Sequence, residues 1–143
     1  MKTAALKAFL LSSIFFSLVL LLTDAELWAV APSHAYVLII LILADIMLLG
    51  LVSRRIPRAV KSAFYWGTFK TLVLLGDVLT APQYGLTYAE FAYYLFSLWP
   101  FVGLFVSQLG IAFSATLAVR EKAGLSSLKK YGPTSLLSLF LLL

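Results

Sequence analysis

Cysteine is absent from the 143-residue chain, which excludes disulfides, thiol catalysis, iron–sulfur clusters and cysteine-built zinc sites. Histidine occurs once, as His34, and methionine only as Met1 and Met47. One chain therefore cannot supply bis-histidine haem ligation or a multi-histidine metal site, and neither a metal nor a cofactor is expected. Asparagine is missing too, which removes any N-glycosylation acceptor. With glutamine confined to Gln83 and Gln108, this depletion of heat-labile residues leans toward a thermophilic source.

Charge is the other scarcity. Charged residues make up 12% of the chain, against about a quarter in an ordinary soluble domain. Hydrophobic residues make up 62%, and the mean hydropathy is +1.01. A surface built from so little charge cannot be mostly solvated. The composition points to a membrane protein and away from a soluble enzyme domain, a disordered chain or a nucleic-acid module.

A helix needs ~20 mostly apolar residues to cross a hydrocarbon core of ~30 Å. Four runs qualify, at about 4–22, 35–52, 63–79 and 91–119. The second is interrupted only by Asp45, and the third carries Lys70 and Asp77. The fourth is too long for one crossing at ~1.5 Å per residue. Pro100 removes a backbone donor and crowds the preceding turn, so a kink is predicted there. Pro100–Val119 then makes the crossing. Tyr88, Phe91, Tyr93, Tyr94, Phe96 and Trp99 fall in an outer extension, at the headgroup level that aromatic side chains prefer.

The basic residues alternate with the spans. Lys2 and Lys7 precede the first span, Arg54, Arg55, Arg58 and Lys61 crowd the loop after the second, and Arg120, Lys122, Lys129 and Lys130 follow the fourth. The loops 23–34 and 80–90 contain none. By the positive-inside rule both termini are cytoplasmic, in a multi-pass protein of the plasma membrane. The net charge of +5 then sets topology and attracts anionic headgroups, with no nucleic-acid partner implied. Residues 1–25 also read as a signal peptide that ends near Ala25, although an uncleaved helix suits the length of the apolar run better. The apolar segment 131–143 follows a Gly-Pro break and is expected as an interfacial tail.

The expected fold is thus all-α: one integral-membrane domain, built as a bundle of four transmembrane helices. Ionisable residues inside a span are rare and mark candidate sites. Asp45 lies seven residues before Val52 and Lys70 seven residues after Ala63, which puts both at one depth on antiparallel neighbours. The pair reads as a structural clamp, as a proton or ion relay, or as two charges with separate partners, Lys70 snorkelling to the headgroups. Asp77 and His34 sit near the outer end and Gln108 near mid-membrane, as secondary polar candidates. Gly103, Ser107, Gly110 and Ser114 form a small-residue face suited to close helix packing, within the bundle or against a second subunit.

No phosphate loop of the form GxxxxGK occurs, and a Ser–His dyad within the membrane is out of reach of the single interfacial histidine. No catalytic residue is therefore expected. The sequence reads as a non-catalytic accessory subunit of a larger membrane complex, a respiratory one being one candidate. Its partners would be lipid and other membrane subunits, or itself. The rival reading is a small homo-oligomeric transporter or channel that uses Asp45 and Lys70.

Overall fold

The computed structural model describes residues 3–131, which are helical apart from short connections, with no strand among the described residues. The helices are α1 (Thr3–Thr23), α2 (Ala25–Val30), α3 (Pro32–Ser53), α4 (Ala59–Asp77), α5 (Tyr88–Ser97) and α6 (Trp99–Tyr131). A 3₁₀ segment, Val78–Tyr84, joins α4 to α5. Among the described residues, three helices are long and apolar enough to cross a membrane: α1, α3 and the Trp99–Glu121 part of α6.

Local chemistry sets the boundaries. Asp24 is the N-cap of α2, its Oδ1 accepting from the backbone N–H groups of Glu26 and Leu27 at 3.1 and 3.2 Å. Pro32 opens α3, where a missing N–H costs nothing. Thr87 and Glu90 close a reciprocal capping box at the start of α5. At the end of α3, Arg55 takes φ 57°, so the chain turns through a left-handed residue that glycine would adopt with less strain.

The expected single kinked span over 91–119 is in fact two helices. The chain breaks at Leu98, which is extended (φ −80°, ψ 109°), and α6 begins anew at Trp99. In a continuous helix the Pro100 ring would collide with the carbonyl four residues back. In the first turn of α6 the same ring is tolerated. The expected tail lies outside the described residues beyond Tyr131.

α6 is the hub, packed along both α1 and α4, while α1 also packs along α3. Sequence neighbours α3 and α4 approach much less. Small residues explain the close contacts. A Cβ on Gly103 would lie 2.5 Å from the Phe16 ring, and one on Gly110 would collide with the Phe9 ring. A Cβ on Gly67 would meet the Ala112 backbone nitrogen at 2.8 Å. The pairs Phe16–Gly103 and Phe9–Gly110 also show that α1 and α6 run antiparallel.

Two apolar clusters fill the interior. One joins Leu6, Leu10, Val52, Ala59, Ala63, Ile111 and Ala118, near the α3–α4 loop. The other joins Leu20, Leu38, Leu74, Phe91, Leu95 and Leu104 at the opposite end. The basic loop residues Arg54, Arg55 and Arg58 therefore sit at one end of the bundle, and Asp24, Glu26, Asp77 and Glu90 at the other. Outward faces are apolar as well, with Phe15, Ile40, Leu43, Met47, Phe69, Leu72, Val106 and Phe113 all exposed. Lipid, rather than water, suits such an exterior.

Candidate functional site: a buried polar layer across four helices

Between the two apolar clusters each long helix contributes one polar side chain: Ser13 from α1, Asp45 from α3, Lys70 from α4 and Gln108 from α6. All four are 0% exposed. On α1 the buried positions Leu6, Leu10, Ser13, Ser17 and Leu20 recur every three or four residues, so one helical stripe delivers Ser13 to the axis. Asp45 lies on the corresponding stripe of α3, between Leu41 and Leu48.

The contacts are short and specific. Lys70 Nζ donates to Asp45 Oδ2 at 2.7 Å and to Ser13 Oγ at 3.1 Å. Ser13 Oγ donates to Asp45 Oδ2 at 2.5 Å and accepts from Gln108 Nε2 at 2.6 Å. The indole of half-buried Trp66 donates to Asp45 Oδ1 at 2.6 Å. A hydroxyl has one proton and two lone pairs, and Ser13 uses all three. The carboxylate accepts on both oxygens.

Burying an isolated charge is prohibitive, and even a buried pair recovers its desolvation only when further hydrogen bonds satisfy the remaining valences. Ser13 and Trp66 supply those bonds to Asp45. Two buried polar atoms remain without a partner among the described residues: Gln108 Oε1 in the layer and Ser17 Oγ beside it. Ser17 lies one turn from Ser13, toward the acidic end.

The structure thus brings Asp45, Lys70 and Gln108 together. His34 and Asp77 form a separate contact at the acidic end, Nδ1 to Oδ1 at 3.5 Å, with side chains 29% and 26% exposed. Gly103 and Gly110 pack against α1, so that part of the small-residue face serves the bundle itself. Ser107 and Ser114 are buried and bond back to the carbonyls of Gly103 and Gly110 at 2.7 Å. Arg54, Arg55, Arg58 and Lys61 are exposed.

Sequence reasoning missed Ser13 and Trp66 as members of the layer. The signals were present: Ser13 lies on the leucine stripe of α1, and Trp66 lies one turn before Lys70. Apolar clusters lie on either side of the layer along the bundle. Among the described residues no group of histidine and carboxylate side chains could hold a metal ion. No family model matches the chain, and no curated protein or solved structure resembles it closely enough to count as a match.

Proposed function

We propose that the protein is a four-span membrane bundle with cytoplasmic termini, acting as a non-catalytic subunit of a larger membrane assembly. α4 is the fourth span in this reading. Its 19 residues reach ~28 Å at ~1.5 Å per residue, close to the hydrocarbon thickness. Lys70 lowers its hydropathy but is turned wholly inward, while Tyr65, Phe69, Leu72 and Leu75 face outward. The segregation of Arg54, Arg55, Arg58 and Lys61 from Asp24, Glu26 and Glu90 supports the orientation.

The observation that carries the subunit reading is the closed polar layer. Apart from Gln108 Oε1, its hydrogen-bonding groups join α1, α3, α4 and α6, which suits a rigid scaffold better than a conduit. The apolar exterior and the exposed Tyr88, Tyr93 and Trp99 at the outer end leave surface for lipid and neighbouring subunits. Asp45→Asn tests the assignment. For a scaffold, the variant lowers folding yield and assembly together, and liposomes holding the wild-type chain alone show no ion flux.

One observation favours the rival, a small transporter. An outward cavity reaches Leu41, Leu74 and Leu104, each one helical turn from Asp45, Lys70 and Gln108 respectively. For a transporter, the wild-type chain alone moves protons or ions across liposomes, and Asp45→Asn abolishes flux while folding is kept.

A further inference from the structure

The outward cavity has a chemistry of its own. It occupies about 300 Å³ at the acidic end, within the size range of small-molecule sites. α3 and α4 share few close contacts, and the cavity lies where Leu38 and Leu41 of α3 and Val73 and Leu74 of α4 line it. The depth is apolar, closed by Leu20, Phe101 and Leu104. The mouth is polar and carries Asp24, His34 and Asp77. A smaller recess of about 160 Å³ shares those three residues and adds Glu26 and the rings of Tyr84, Phe91 and Tyr94.

Asp24 and Asp77 therefore face the apolar hole, and in the smaller recess beside it they are joined by Glu26 and the aromatic rings. Among the described residues no lysine or arginine lines either recess. Asp24 uses Oδ1 for its capping bonds, Glu26 accepts from Tyr94 at 3.0 Å, and Asp77 Oδ1 lies 3.5 Å from His34 Nδ1. A carboxylate field beside aromatic faces attracts a cation. The apolar depth behind Asp24 and Asp77 fits an organic cation with an apolar tail.

We propose that this cavity binds a lipophilic organic cation, its charged head at Asp77 and Asp24 and its tail between α3 and α4. The ligand enters from the outer leaflet through the cleft between those helices. The inference rests on the membrane placement and is independent of whether the chain has partner subunits.

Gly76 provides a way to block the site without disturbing the bundle. It lines the cavity, and a Cβ added there meets nothing within 4 Å. Gly76→Leu would project into the hole from an otherwise compatible helix position.

The test is calorimetric titration of the full chain in phosphatidylcholine nanodiscs, with empty discs as blanks. The probes are n-octyltrimethylammonium, n-octanol and n-octyl sulfate, which share a tail and differ in charge. Incorporation into the disc is checked first by mass, so loss of binding is distinguishable from failure of the membrane placement. Binding of the cation about ten-fold tighter than the alcohol is expected, equivalent to ~1.4 kcal/mol. That preference should be lost in Asp77→Asn, and all binding should be lost in Gly76→Leu. Equal binding of the three probes, preference for the sulfate, or no binding above the blank overturns the proposal. So does cation binding that survives Gly76→Leu.

Discussion

Lys70 Nζ lies 2.7 Å from Asp45 Oδ2, with both side chains wholly withdrawn from the surface. Removal of either partner strands a charge that has no route to water. Asp45→Asn or Lys70→Met should each cost about 3–5 kcal/mol, the range found when one member of a buried pair is deleted. The double change Asp45→Asn with Lys70→Met should cost less than the sum of the two single changes. Denaturant unfolding in mixed micelles measures all three, and strict additivity would show that the two charges are not coupled.

Ser13 and Ser17 allow a sharper comparison, because they share a helix, a face and complete burial. Ser13→Ala removes bonds to Asp45, Lys70 and Gln108 and should destabilise by roughly 2–4 kcal/mol. Ser17→Ala removes a hydroxyl that has no partner and should be neutral or stabilising by about 1 kcal/mol. Thermal unfolding of the two variants side by side reads the difference. Equal losses would mean that the hydrogen bonds of Ser13 carry no special weight.

The glycines should divide in the same way. Gly67→Ala drives a methyl group into the backbone of α6, which cannot swing aside, and should cost about 1–3 kcal/mol. Gly50 faces open space, so Gly50→Ala should gain about 0.5–1 kcal/mol through helix propensity. If Gly67→Ala proves as mild as Gly50→Ala, α4 and α6 are not packed as described.

The capping box predicts an acid-sensitive helix start. The Thr87 backbone N–H and hydroxyl bond the Glu90 carboxylate and hold its pKa below the ordinary value of 4.5. A depressed carboxylate pKa gives stability that is present above the unfolded value and lost as pH falls through the folded one. The amide resonances of Tyr88–Phe91 should therefore hold their helical shifts through pH 4.5 and lose them only below it. Thr87→Ala should move the carboxyl titration of Glu90 upward, and an unchanged midpoint would remove the box.

Much of this was legible in the sequence. The apolar runs matched α1 to within one residue at each end and α3 to within one residue at its end and three at its start, and equal counts from the basic loop placed Asp45 beside Lys70. The faces of the helices were harder to read. In a soluble bundle, polar residues mark the outside, but here Phe15, Leu43 and Phe69 are exposed and apolar, so hydropathy does not distinguish out from in. That is why Ser13, the centre of the network, was not among the candidates. At Pro100 the difference was between bending a helix and ending it, decided by the extended backbone of Leu98. Asp24 and the Thr87–Glu90 pair were readable caps whose short helices are hidden by length alone.

The central claim is that the bundle is a scaffold within a larger assembly. The measurement that tests it most directly is the mass and composition of the particle extracted from its native membrane in mild detergent. Other chains should accompany it at fixed stoichiometry, and Asp45→Asn should diminish the whole particle. Recovery of the chain alone, as a homo-oligomer that conducts ions in liposomes, would contradict the account and move the function to Asp45 and Lys70 themselves.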